Sequence, residues 1–142
     1  LSVLEQKVVW ELLKYGNILN FETNYKVGFY YVDIAFPQYK VALEIDGFEY
    51  HSSEDQIERD KLRQEYLEQV KNWKIERVPG WFCNRYPDIS AAKVLRYIRE
   101  VQNHPLFLKA CLGAKQWYAR DLFARGYKRE AKKVLGFEEK DL

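Results

Sequence analysis

Asp33, Glu44 and Asp46 lie in the stretch VDIAFPQYKVALEID, inside two runs of apolar and β-branched residues where a strand would be expected to bury methyl groups. Pro37-Gln38-Tyr39 separates the runs and signals a hairpin. Centred between Gln38 and Tyr39, that hairpin pairs Phe36 with Val41 and sets Asp33 opposite Glu44, with β-carbons about 4.5–5.5 Å apart. Asp46 shares a face with Glu44 because strand side chains alternate. A solvated sheet face accounts for any one of these acids alone. Three that converge repel one another, and the usual remedies are a shared proton or a divalent cation. Mg²⁺ or Mn²⁺ suits such a cluster: hard oxygen ligands hold it while it keeps waters for phosphate chemistry. Asp46-Gly47 ends the strand, and His51 follows closely enough to return over the same carboxylates.

These residues need elements to hold them. Ser2 with Glu5 three positions on is a capping-box spacing, and Leu4, Val8, Val9, Leu12 and Leu13 follow at helical intervals until Tyr15-Gly16-Asn17. Strands are expected over 29–36 and 41–45. Residues 53–70 read as a second helix with Ile57, Leu62, Tyr66, Leu67 and Val70 as its apolar stripe and Asn72 as a left-handed C-cap. Residues 73–79 read as a third strand, and 90–101 as a helix through Val94, Leu95, Ile98 and Val101. A helical stretch interrupted at Gly126 fills 106–135. The expected class is α/β (α+β), a mixed sheet flanked by helices in the order αββαβα with a C-terminal helical extension. Residues 1–102 form the core in this reading, and 103–142 a basic helical extension packed on the same domain.

Composition narrows the classes. At 142 residues and 47% hydrophobic the chain makes one domain with a proper core. The formal charge of +2 comes from 23 basic and 21 acidic residues, so a basic surface must arise from their distribution. Between Asn103 and Phe137 eight basic residues stand against Asp121 and Glu130, a local excess of +6. As structure this is a solvated helix face; as function it grips a phosphate backbone. Cys83 and Cys111 have no zinc-knuckle or disulfide-framework spacing, which suits a reducing, cytoplasmic compartment. No apolar run is long enough for a membrane helix. The sequence opens at Leu1 and has no Met, which reads as an excised segment of a longer polypeptide.

A strand Asp, a tight turn, a strand ending in an acid, then Gly and a nearby His resemble the core of the PD-(D/E)XK nucleases. The resemblance is to the Vsr-like branch, very-short-patch-repair and phage homing endonucleases with an E-D-x-H-D signature. It runs from Leu4 to about Trp81. In it Glu5, in LEQKVVWELL, is the signature Glu, Asp33 the strand Asp, His51 the His, and Asp60, in ERDKLR, the final Asp. VKNWKIERV is similar to the G-W-x-V run that follows, with Asn72 in the Gly position. The chain departs from repair members at Glu44 and Asp46, which replace an apolar residue and a His, and it has no motif Lys.

The resemblance implies a restriction-endonuclease-like fold and a metal-dependent endonuclease of double-stranded DNA, leaving a 5′-phosphate and a 3′-hydroxyl. The expected metal ligands are Asp33 and Glu44, with Glu5 and Asp46 completing the shell directly or through water. His51 deprotonates the water and Asp60 orients its imidazole. Expected DNA contacts are Lys26, Tyr50 and Arg59 with Arg125, Lys128, Arg129 and Lys132 of the basic tail. The preferred context is the catalytic domain of a homing or phage-type enzyme in a bacterial or phage-infected cell, beside other domains of a parent chain. The alternatives are a mismatch-repair or restriction nuclease, and a catalytically inactive DNA-binding module of the same fold.

Overall fold

The computed structural model describes residues 1–46, 53–114 and 119–126. Helix α1 (Val3–Leu13) opens on the expected capping box: Ser2 Oγ accepts the Glu5 N–H, and the Glu5 carboxylate accepts the Ser2 N–H. Three strands follow, β1 (Glu22–Val27), β2 (Tyr30–Phe36) and β3 (Val41–Asp46), then helix α2 (Glu54–Glu65), which runs into a π-helical turn at Tyr66–Val70. Strand β4 (Lys74–Pro79) leads into α3 (Gly80–Arg85), α4 (Pro87–Leu95), α5 (Pro105–Gly113) and α6 (Ala119–Ala124). The four strands lie in chain order, antiparallel from β1 to β3 and parallel between β3 and β4. This is the mixed, helix-flanked sheet that the sequence implies, with differences of detail.

Strand β1 is the main one, making the core order αβββαβα. ETNYKV has no apolar run because β1 is an edge strand with much of its surface in water. Within it Asn24 has a left-handed backbone, at φ +47°. Gly80, directly after the end of β4 at Pro79, starts the short helix α3, which is not among the expected elements. Helix α4 runs over 87–95 rather than 90–101, although Ile98 and Val101 beyond it are as fully buried as expected. Asn72 has the anticipated left-handed backbone, at φ +58°.

The sheet separates two apolar clusters. On one face α1, α4 and α5 cover Ile34, Phe36, Val41, Leu43 and Val78. On the other a smaller cluster gathers Val27, Val32, Ala35, Ala42, Leu67 and Trp73. The expected apolar stripe of α2 is not buried. Leu67, in the π-helical turn, is fully enclosed, but Ile57 and Leu62 are about half exposed, at 49% and 53%. Helix α2 has no buried side chain of its own. Among the described residues no helix is long and apolar enough to cross a membrane.

Candidate active site

The hairpin register is the one the Pro37 turn implies: Phe36 faces Val41, Ala35 faces Ala42 and Ile34 faces Leu43. There the β2–β3 pairing ends, one residue short of Asp33 and Glu44. Alternation also slips at this point. Tyr30 and Val32 pack with the second cluster, yet Ile34 and Phe36, two and four positions on from Val32, bury in the first. The β1–β2 register likewise passes over Asn24 and Asp33. At this slip the Asp33 side chain turns toward β3, and its Oδ2 accepts the Ile45 N–H at 2.8 Å. A carboxylate thus takes the place of a ladder hydrogen bond where the strands diverge.

Glu5 and Glu44 are both close enough to Asp33 to feel its charge. Burial pushes the Glu5 carboxyl above its ordinary range, and Asp33 adds to the rise through its charge and a direct hydrogen bond, against the pull of the Ser2 N–H. Glu44 is 8% exposed, and desolvation raises its pKa although Arg63 pairs with it; Asp33 raises it further. Asp33 is therefore the shared neighbour of two carboxyls that both resist ionisation.

Two arginines complete the arrangement, and sequence reasoning missed both. Arg63 on α2 donates to Glu44 Oε1 and to the Tyr31 carbonyl, the latter at 2.7 Å. Arg77 on β4 reaches Asp46 at 2.8 Å and Asp60 at 2.6 Å. The signal for Arg77 was its place in WKIERV: a charge between the apolar Ile75 and Val78 of a strand requires partners, and β3 beside it carries Asp46. Arg63 lies in the quoted ERDKLR, one turn after Asp60.

The expected site residues therefore fall into three groups. Glu5, Asp33 and Glu44 are brought together. Asp46 and Asp60 are also brought together, through Arg77. The crowding is relieved at Glu44 and Asp46 by guanidinium groups. His51 and Tyr50, and Lys128, Arg129 and Lys132 of the tail, lie outside the described residues. Lys26 is exposed on β1, and the exposed Arg59 donates to the Asp55 carbonyl within α2. Arg125 pairs with Asp121 at 3.2 Å and lies over the Trp81 ring.

Among the described residues no three acidic, His or Cys side chains are gathered closely enough to hold a metal ion as they stand. The donor set at Asp33 and Glu44 is nonetheless hard oxygen, the ligand chemistry a divalent cation requires. Arg63 supplies positive charge to Glu44 in its place and would have to yield that carboxylate.

A mixed sheet with an Asp at the divergence of β2 from β3, flanked by glutamates from the first helix and the third strand, is the frame of a PD-(D/E)XK-type nuclease. The family model REase_MTES_1575, of restriction-endonuclease type, matches residues 4–98, and the chain belongs to that family. Among solved structures the catalytic domain of homing endonuclease I-Bth0305I is similar in fold, at a TM-score of 0.52 and 18% identity, over 71% of this chain and 99% of that domain. No curated protein sequence matches. The family makes this chain a nuclease of the endonuclease class.

Proposed function

We propose that the protein is a metal-dependent endodeoxyribonuclease that hydrolyses phosphodiester bonds of double-stranded DNA. One observation carries the reading: the Asp33 carboxylate, fixed by the Ile45 N–H, sits beside two further carboxyls, Glu5 and Glu44, that burial and Asp33 keep from ionising freely. A sheet whose acids were only a solvated face would not press their protons on. Asp33 and Glu44 would hold Mg²⁺ or Mn²⁺, with Glu5 and Asp46 adding ligands directly or through water. When bound, the ion supplies Lewis-acid stabilisation of the phosphate and lowers the pKa of a water.

The rest is the work of the chain's own side chains. His51 takes the proton of the attacking water, being the one side chain in the signature whose ordinary pKa lies near neutrality. Asp60 is held by Arg77, which keeps α2 over the acidic end of β3 and β4. Lys26, Tyr50, Arg59 and the tail residues Arg125, Lys128, Arg129 and Lys132 hold the phosphate backbone. A homing or phage-type parent is the preferred context.

A second reading is favoured by the arginines. Because Arg63 and Arg77 neutralise Glu44 and Asp46, the fold could serve DNA binding alone. Incubating the protein with supercoiled plasmid, with and without Mg²⁺, separates the two. Nicked or linear product that requires the ion supports the nuclease. A plasmid that is bound but never cut supports the binding module.

A further inference from the structure

The tip of the β1–β2 hairpin is a two-residue turn, Gly28-Phe29, and Phe29 on it is 82% exposed. A phenylalanine so placed gains nothing from the core, and it is not on a loose loop. Gly28 has φ +60°, the backbone of a hairpin turn that matches strand twist. A β-carbon at Gly28 would lie 2.0 Å from the Tyr66 hydroxyl and 2.7 Å from Lys71 Cε, so residues of the π-helical turn and its end lie directly against the tip. The Phe29 and Tyr66 rings are 5.2 Å apart, and those of Tyr30 and Tyr66 5.4 Å. The tip is thus a braced aromatic point with the Lys71 chain folded onto it.

Its charge has one sign. Residues 23–32 contain Lys26 and no carboxylate, and Lys71 adds a second ammonium beside Gly28. Tyr31 is 55% exposed beside it, and its carbonyl accepts from the Arg63 that also pairs Glu44. Asp33 lies four residues beyond Phe29 on β2, about 13 Å at roughly 3.3 Å per residue. That is close to four base-pair steps at about 3.4 Å each.

We infer that the β1–β2 hairpin enters a groove of duplex DNA, with Phe29 pressed against the bases and Lys26 and Lys71 on the flanking phosphates, some four base pairs from the bond addressed by Asp33. The inference rests on the DNA reading above. Charge selects the occupant: an aromatic point on a hairpin whose residues 23–32 hold Lys26 and no carboxylate, with Lys71 beside it, matches stacked bases between phosphates. A two-stranded ribbon fits the major groove, where an apolar side chain such as Phe packs on base edges and the thymine methyl.

The test is binding of a fluorescent duplex without divalent cation, by anisotropy across a range of salt. Phe29→Ser should weaken binding roughly 10- to 150-fold, the loss expected when one buried Phe side chain is removed from the contact, with no change in the salt slope. Phe29→Tyr should restore it. Lys26→Gln with Lys71→Gln should instead reduce the slope of log K against log salt by about 1.8, near 0.9 for each phosphate contact. Wild-type binding that Phe29→Ser leaves intact overturns the hairpin assignment while the DNA reading stands, as does a Phe29→Ser protein that loses self-association and not DNA. A wild type that binds no duplex even in low salt overturns both.

Discussion

Where β2 leaves β3, the Asp33 carboxylate is bound to a backbone N–H and influences two neighbouring carboxyls, so its substitution should separate structure from chemistry. Asn at this position can still accept the Ile45 N–H through its amide oxygen. Asp33→Asn is therefore expected to fold, to bind DNA as well or better because a charge repelling phosphate is gone, and to lose cleavage. Retained plasmid cleavage in that variant would remove Asp33 from the site. His51→Ala should slow cleavage by roughly 10²- to 10⁴-fold and change its pH profile; an unchanged profile would exclude His51 as the base. For Glu44, burial outweighs the Arg63 pairing and holds the carboxyl above its ordinary range. The native state then binds more protons than the unfolded chain just above ordinary carboxylate pH. The stability contributed by Glu44, and likewise by Glu5, is complete below that range and is lost as pH rises through the raised values. Glu44→Gln, permanently neutral, should therefore melt higher than wild type at neutral pH, and the difference should shrink as pH falls toward the ordinary carboxylate range. A lower melting temperature at neutral pH would mean that the Arg63 pair outweighs desolvation after all.

At the scale of elements, what the sequence made legible and what it hid divide along one physical line. The Pro37 turn and the apolar runs on either side set the β2–β3 register, which placed Asp33 level with Glu44. Ser2 and Glu5 announced α1, and Val94, Leu95, Ile98 and Val101 marked buried positions even where the helix stops early. These are signals of burial and local capping. Strand β1 escaped because an edge strand of Glu22, Thr23, Asn24 and Lys26 has no apolar pattern to show. The docking of α2 escaped for a related reason: charged residues on a helix read as a solvated face, and nothing local distinguishes Arg63 and Asp60 from their neighbours. The cross-link can be tested at Arg77. Alanine there takes the guanidinium from both Asp46 and Asp60, and the expected loss is about 1–3 kcal/mol, below the roughly 3–5 kcal/mol of a fully buried pair. The discount is for solvent, since the three side chains are 25%, 33% and 26% exposed. Chemical denaturation of Arg77→Ala measures it, and a change under 0.5 kcal/mol would make the pairs incidental.

For the whole molecule, the charge balance hides a division of labour, with acids gathered at the end of β3 and bases on the hairpin tip and in the C-terminal stretch. Neutralising Arg125, Lys128, Arg129 and Lys132 together should flatten the salt dependence of DNA affinity, each lost phosphate contact removing about 0.9 from the slope. An identical slope would return the tail to packing, a role in which Arg125 already has Asp121 and Trp81 as partners.

Helix α2 buries none of its own side chains and meets the sheet through Arg63 and Asp60, with an apolar anchor at Leu67 just beyond its end. A helix gripped in this way answers to the medium in a manner the rest of the fold does not. Dissolved ions screen partly buried pairs less than exposed ones, yet at high concentration they still weaken them while apolar burial stays intact. Concentrated sodium chloride should therefore peel the helix from its N-terminal end toward Leu67 while α1 and α4 stay seated. Ionic strength then acts as a mechanical variable, setting how far the acidic end of the sheet is uncovered.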